Sequence, residues 1–433
     1  MKIFYLINDS LQVIALTIVG LEVKCEWGLT PFWVSFLQLA YNCGMFLGLA
    51  LSFLYTNRFG RKPLCLISTI ACTVVGLLSG KSMELWHLVV CRLLLGFFCS
   101  MGVGPTVSLG GEVIPMRFRA IGFSGPSLAW GVGGAIACLL GYFVEEQHGW
   151  RGLLIAIALV FSPAIPFFAV IRESPRYNVS RGNYAEAEKT IESLYRMNGK
   201  HAGHISLIRD SNSLGKVGVK SKTASLYTTL RSSTGMFLNL LVLSLSSLFA
   251  YYGHFGYSYA APRFFNEGYC TGSTVPVEET CTFEKTVLVE LGIVNLADPL
   301  GVLLILVMLD FVGRRKTFFM VVVVASISVA ALFLCLGPTY LVFWSVLGRM
   351  LMGPIAFIPG ILTAEYFPTE IRSFAVSCQM AFGNVGSILG IYSAQAVYNL
   401  SPALFLGLTL GQTLLIGVCL LVLKKETKNT ELE

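Results

Sequence analysis

Four ionisable side chains lie inside long apolar segments of this sequence, where they could do chemistry that an ordinary surface residue could not. They are Asp9, Arg92, Asp298 and Arg349. Placing a charge in hydrocarbon costs at least about 2.5–3.5 kcal/mol, so each needs a partner or a path to water. The two aspartates could bind a cation, take up a proton or pair with an arginine. A fixed aspartate–arginine pair that only holds helices together is the alternative.

Tyrosine and histidine are concentrated in one apolar segment near position 250. Tyr251, Tyr252 and His254 lie there, and further aromatic side chains follow them. Aromatic rings with polar tips suit an organic or cationic solute, which they hold by stacking and cation–π contact. An aromatic belt at the membrane surface would have the same composition. The segment therefore predicts either the lining of a solute cavity or an interfacial belt.

Metal and nucleotide chemistry find no support in the sequence. No C-x-x-C pair or His/Cys cluster has the spacing of a zinc site. Residues 76–82 resemble a phosphate-binding loop, but they have three intervening residues where that motif needs four. We therefore expect no enzyme activity, no cofactor and no metal.

Most cysteines, Cys335 among them, lie in apolar runs as small hydrophobic side chains, whereas Cys270 and Cys281 share a polar loop and could form a disulfide.

The elements that position these residues must be membrane-spanning helices. The chain has 433 residues, 55% of them apolar and only 13% charged, and its mean hydropathy is +0.71. A typical soluble domain has about 25% charged residues. The net charge of +7 falls in short turns and one linker, so we expect the lipid bilayer and no nucleic acid as a partner. Twelve stretches have the length of a membrane-spanning helix, which predicts an all-α polytopic membrane protein. They are 3–23, 32–55, 64–80, 85–109, 121–144, 152–171, 236–261, 286–309, 317–336, 341–362, 374–398 and 403–423.

Two short sequence patterns occur twice, and both second copies are displaced by the same number of residues. Gly60-Arg61-Lys62 recurs as Gly313-Arg314-Arg315, and Glu112-x-x-Pro115-x-x-x-Arg119 recurs as Glu365-x-x-Pro368-x-x-x-Arg372. A shared offset indicates duplication. We therefore divide the chain into a six-helix bundle at 1–171, a cytoplasmic linker with short amphipathic helices at 172–233, a second six-helix bundle at 234–423 and a cytoplasmic tail at 424–433.

Lysine and arginine predict how the chain is oriented in the membrane. An even number of crossings places the linker on the same side as the turns at 58–62, 117–119, 314–316 and 372, and this side carries most of the basic residues. Basic loops stay on the cytoplasmic side. We therefore expect the linker and both termini to be cytoplasmic.

The repeated basic turn resembles the signature of the major facilitator superfamily, and this resemblance covers nearly the whole chain. Further matches, at Arg92-x-x-x-Gly96, Gly149-Trp150-Arg151 and Glu173-Ser174-Pro175-Arg176, are similar to the branch of sugar porters, organic ion transporters and synaptic-vesicle proteins. Within that branch, Cys25-Glu26-Trp27, Tyr251-Tyr252-Gly253 and Glu365-Tyr366-Phe367-Pro368-Thr369 most resemble the synaptic-vesicle-two-related proteins.

The resemblance implies a fold of two parallel six-helix repeats that gives access to one side of the membrane at a time. Conformational gating would then involve Asn57, Gly60, Arg61, Lys62, Glu112, Arg119, Asp310, Gly313, Arg314, Arg315, Glu365 and Arg372. We expect the arginines to meet Glu112 and Glu365 across the boundary between the halves; a role in topology alone is the alternative. Position 57 is Asn where the family normally has an acid, which implies a weaker lock in the first half.

The expected function is the transport of a small organic solute across a vesicle or plasma membrane. The solute could carry a charge, and a proton or another cation could be coupled to its movement. Transport could be secondary active or facilitative. A membrane receptor or vesicle component with a carrier fold but no transport is the alternative, and an ion channel has less support because no repeated pore ring occurs in the sequence.

Overall fold

The fold is that of a computed structural model, which describes residues 2–113, 128–197, 199, 234–266, 285–367 and 369–423. These residues form helices joined by short turns, and no strand occurs among them. Helix satisfies every backbone hydrogen bond within one segment, which an apolar chain in hydrocarbon requires.

The first half of the chain contains six spans, which we number one to six. Span two begins with Pro31 at a position where its missing N–H costs nothing, and it ends at Gly60, whose φ of 96° favours glycine. Spans five and six are continuous except at Gly149, where φ is 60° and the helix breaks. The helices of this half are Lys2–Glu26, Pro31–Phe59, Arg61–Ser79, Leu85–Val113, Leu128–Leu140 with its continuation Gly141–Glu145, and Glu146–Phe161 with Ala164–Val170.

The second half repeats this arrangement with spans seven to twelve. Gly313 has φ of 102° and occupies the same turn as Gly60 in the first half. Ser401 caps span twelve, where its hydroxyl accepts from the backbone N–H of Leu404. The helices of this half are Thr234–Asn266, Lys285–Val312, Arg314–Ala331, Pro338–Tyr366, Thr369–Tyr392 with its continuation Ser393–Val397, and Pro402–Val422.

Ten helical stretches in the described residues are long and apolar enough to cross a membrane. One of them, Leu128–Val170, contains both span five and span six, and span eleven is the helix at Thr369–Val397 that completes the twelve. Large apolar side chains on the outside of the bundle, such as Leu300, Val307 and Leu421, are more than half exposed. An apolar exterior of this kind is stable in lipid.

Two short helices follow span six in the linker, at Pro175–Ser180 and Tyr184–Met197. The second has one buried side with Ala187 and Thr190, whereas Tyr195, which its helical spacing groups with the apolar positions, is exposed. We call the end of the bundle near Gly60 and these helices the linker face. The opposite end, which includes Glu26 and Arg151, is the far face.

One cysteine, Cys335, corrects the expectation from the sequence. Cys335, which the sequence groups with the apolar cysteines, is disulfide-bonded, and so is Cys25 at the end of span one. Cys335 follows the last helical turn of span nine and has a positive φ of 47°, so it lies at a helix end. Cys270 and Cys281, for which we predict a disulfide, lie outside the described residues.

Candidate functional site

A buried ion pair joins span eight to span ten in the second half. Arg349 Nη2 lies 2.7 Å from Asp298 Oδ2, and their side chains are only 1% and 3% exposed. Arg349 Nη1 also donates to the carbonyl oxygen of His254, at 3.1 Å, and to the hydroxyl of Ser258. The guanidinium therefore connects spans seven, eight and ten. The alternative of a fixed aspartate–arginine pair fits the contacts of Asp298.

The corresponding charges of the first half have neutral partners. Tyr41 donates to Asp9 Oδ1 at 2.7 Å, and Arg92 Nη1 donates to Gln12 Oε1 at 2.9 Å. Asp9 is 7% exposed and Arg92 is fully buried. Among the described residues neither side chain forms a salt bridge. The two halves thus differ, because only the second half neutralises its buried carboxylate with a guanidinium.

Aromatic side chains from both halves meet at the centre of the bundle. The ring of Trp130 in span five lies 5.8 Å from the imidazole of His254 and 5.6 Å from the ring of Phe255, both in span seven. Phe357 of span ten lies 6.3 Å from His254 on another side. His254 Nδ1 and Trp130 Nε1 are buried and have no hydrogen-bond partner among the described residues. His254 is therefore placed at the boundary between the halves, as a cavity lining requires.

Tyr251 and Tyr252 are half-buried and pack within the second half. The ring of Tyr251 stacks on Phe255 at 6.0 Å and lies against Gly383 of span eleven. The backbone of Tyr252 lies so close to Gly390 that a side chain at Gly390 would collide with it. Tyr251 thus packs on Phe255, which in turn contacts Trp130 of the first half. The described contacts of Tyr252 are with its own half.

Sequence reasoning missed the tyrosine that joins the two halves. Tyr259 donates to Gln38 Oε1 at 2.7 Å and lies 3.1 Å from the carbonyl oxygen of Val13. Gln38 and Gln12 were also missed, although each is a buried amide in an apolar span. Polar residues inside spans are rare enough that a search for amides as well as charges could have found both.

Glycines bring spans five and eight into direct contact. A Cβ at Gly131 would collide with Pro299 and with the carbonyl oxygen of Asn295, and one at Gly134 would lie 2.7 Å from Asn295 Oδ1. Small residues permit such close approach of two helices. Gly353 has a related role in span ten, since a Cβ there would lie 2.6 Å from Asp298 Oδ1. The ion pair at Asp298 therefore lies directly beside the boundary between the halves.

The turns at the linker face make their described contacts within one half, and a contact of the arginines with glutamates across the boundary stays a prediction. Glu173 accepts from the backbone N–H groups of Arg61 and Lys62, both at 3.1 Å. Arg314 Nε lies 3.4 Å from Glu365 Oε1 in the same half. The helix starts and the local carboxylates are adjacent along one bundle, so these contacts form without the other half.

Five residues of the gating prediction have side chains outside the described residues. Arg315 Nε donates to the carbonyl oxygen of Leu420 at 3.3 Å, so its described contact is also within the second half. Arg119 lies outside the described residues, and the side chains of Asn57, Glu112, Asp310 and Arg372 are also outside them. Their gating role stays a prediction.

Comparison with known proteins decides the family. The model of the family described as "Sugar (and other) transporter" matches residues 26–433. The chain belongs to this family. It is 28% identical to the rat synaptic vesicle 2-related protein over 98% of this chain and 77% of that protein. It is 26% identical to a putative transporter of Caenorhabditis elegans, over 98% of this chain and 81% of the other. It is 24% identical to organic cation/carnitine transporter 7 of Arabidopsis thaliana, over 98% of this chain and 90% of the other.

Solved structures agree on the fold. A D-xylose–proton symporter superimposes with a TM-score of 0.71 at 16% identity, covering 99% of this chain and 97% of that chain. The inward-open conformation of a xylose transporter from E. coli gives 0.70 at 15% identity, with the same coverage of both chains. This chain is thus an all-α, twelve-span protein of the major facilitator superfamily. It is a transmembrane transporter of a small organic solute. Both findings confirm the fold and the function expected from the resemblance.

Proposed function

We propose that this transporter couples the movement of its solute to a proton, which is taken up by Asp9. The single observation that carries the proposal is the contrast between the two buried aspartates. Asp298 has the guanidinium of Arg349 at 2.7 Å, whereas the partner of Asp9 among the described residues is the neutral hydroxyl of Tyr41. Burying an ionised carboxylate without a counter-charge is costly, so Asp9 is the group for which a proton or a cation brings the larger gain.

The site for the solute lies between the halves, beside Asp9 and Arg92 on one side and His254 and Trp130 on the other. Arg92 keeps two guanidinium nitrogens without a hydrogen-bond partner among the described residues, and Asp9 has a neutral partner, Tyr41. A charged solute could therefore interact with either a carboxylate or a guanidinium group at this site. The aromatic rings would hold its carbon skeleton by stacking. The D-xylose–proton symporter among the similar structures supports a proton as the coupled ion.

Alternating access follows from where the two halves touch. The described contacts between them lie from the middle of the spans to the far face, namely at Trp130, Tyr259 and the ion pair of Lys285 with Glu146. We infer that the halves rock about spans five and eight, so that the solute site opens to one face of the membrane at a time.

A vesicle or plasma membrane with the linker on the cytoplasmic side is the proposed location. The basic residues support this orientation through the positive-inside rule. The disulfide-bonded Cys25 and Cys335 support it independently, because disulfides persist on the lumenal or external side rather than in the cytosol. The synaptic vesicle 2-related relatives support a vesicle.

Transport in proteoliposomes tests the proposal. Wild-type protein and Asp9→Asn are reconstituted, and a panel of charged and neutral organic solutes is assayed for counterflow and for uptake driven by a pH gradient. Asp9→Asn should retain counterflow but lose accumulation driven by the gradient, because exchange needs no net proton movement. Asp298→Asn is the matched variant of the other buried aspartate. Full gradient-driven accumulation by Asp9→Asn would refute the role of Asp9, and absence of counterflow for every solute with wild-type protein would refute transport.

A further inference from the structure

A groove separates span two from span eleven at the second boundary between the halves. It encloses about 110 Å³ and is lined by apolar side chains that include Phe36, Leu39 and Ile388. Space of roughly 10–15 Å³ already accommodates a water molecule, so the groove could take part of an organic molecule. The boundary at spans five and eight differs, because glycines close it there. The two boundaries are therefore not equivalent.

The groove runs from the lipid-facing surface into the protein. Its outer residues are exposed, Phe32 by 56% and Tyr392 by 50%, whereas Asn42 at its inner end is only 4% exposed. Phe32 and Asn42 are ten residues apart in one helix, a rise of about 15 Å. An apolar group can thus enter where spans two and eleven approach the far face and reach the middle of the membrane.

A polar group without a partner marks the inner end. Asn42 Nδ2 is buried and has no hydrogen-bond acceptor among the described residues, and the same holds for Nε2 of Gln38, one helical turn away on the same face. Gln38 in turn accepts from Tyr259 at the centre of the bundle. A buried amide that lacks a partner costs about 1–3 kcal/mol. An oxygen atom of a ligand could accept a hydrogen bond from Asn42 Nδ2. Gln38 lies between Asn42 and Tyr259, so it connects the groove to the centre of the bundle.

Each wall of the groove is held firmly to its own half. Glycines at 44 and 48 bring span two against the backbone of span four, and glycines at 386 and 390 bring span eleven against the backbone of span seven. Neither wall can therefore move without the helix behind it. The groove changes width when the halves rock, so its occupant is part of the transport cycle.

We propose that the transported solute is amphipathic, with an apolar part in the groove between spans two and eleven and an oxygen acceptor at Asn42. This inference rests on the proposed function and names the substrate class of the same site. The apolar part enters through the mouth at Phe32 and Tyr392, near the far-face ends of spans two and eleven. The amides of Asn42 and Gln38 select an acceptor oxygen, as in a hydroxyl, carbonyl or carboxylate group.

Photolabelling tests the groove directly. Full-length protein in lipid nanodiscs is irradiated with a diazirine-bearing octanol, and adducts are located by mass spectrometry. Labelling of segments 32–42 and 388–392 should saturate and should be competed by octanol. Ile388→Trp, which fills the groove, should abolish it, and Asn42→Leu should weaken competition about fivefold to tenfold, as expected for one lost hydrogen bond. Leu300→Trp, on the lipid-facing surface, is the matched control and should change nothing.

The outcomes separate this inference from the proposed function. Labelling that does not saturate, or that persists in Ile388→Trp, would overturn the groove site. Counterflow is also compared between the two proteins. If Ile388→Trp shows the same preference for solutes with apolar substituents as wild-type protein does, the groove site is overturned and transport stays intact. Saturable labelling of the groove without counterflow of any solute would support the ligand site and refute the carrier function.

Discussion

Replacing Arg349 by leucine should be among the most damaging single changes inside the membrane. The substitution keeps an apolar volume but leaves Asp298 buried without its counter-charge at 2.7 Å. Removing one member of a buried ion pair costs about 3–5 kcal/mol, because the other charge stays uncompensated. The hydrogen bonds to His254 and Ser258 are lost as well. We expect a loss of at least 3 kcal/mol in the free energy of unfolding, within the range of about 3–5 kcal/mol for such pairs.

Arg92→Leu is the matched control, because Arg92 is equally buried but donates to the neutral Gln12. It should cost only about 0.5–3 kcal/mol, the range for hydrogen bonds to neutral and charged groups. The free energy is measured by denaturant unfolding of both variants in the same detergent. Equal losses would refute the reasoning. So would a double variant, Asp298→Asn with Arg349→Leu, that is no more stable than Arg349→Leu alone, because removing both charges should recover part of the loss.

Three further changes test other parts of the structure. Gly131→Val should abolish counterflow because its side chain collides with span eight, whereas Gly411→Ala, which has nothing within 4 Å of the added Cβ, should leave counterflow unchanged. Glu173→Gln should lower the free energy of unfolding by about 0.3–1 kcal/mol, since it removes a charge at the start of span three, and high salt should shrink the difference. Tyr259→Phe should weaken the contact between the halves by about 0.5–1.5 kcal/mol and increase labelling of far-face residues by a water-soluble reagent, and unchanged labelling would contradict its role.

Local properties of the chain predicted most of the fold. A span is recognised by summing the transfer free energies of about twenty consecutive residues, which requires no knowledge of their neighbours in space. The duplication was visible in the same way, since two short patterns recur with one shared offset, and the structure gives Gly60 and Gly313 a positive φ at corresponding turns. The four intramembrane charges were also evident, because a charge in an apolar run is rare.

The partners of those charges could not be predicted from the sequence. Asp9 and Asp298 look alike as single residues in apolar runs, yet one accepts from Tyr41 and the other pairs with Arg349. Which side chain reaches which depends on how each helix is rotated and how closely it approaches its neighbour. Glycines in other spans set that approach, as Gly353 does beside Asp298. The same limit applies to Arg314, which meets Glu365 inside its own half.

Sequence by itself determined that this chain is a duplicated bundle of membrane helices with charges inside its apolar segments, because each of those features is visible in short stretches of residues. Tertiary structure alone decided which carboxylate stays without a counter-charge, which amides lack partners and which of the two boundaries leaves a groove. The physical reason is that hydropathy adds up along the chain, whereas contact energies depend on distances of a few ångströms between helices far apart in sequence.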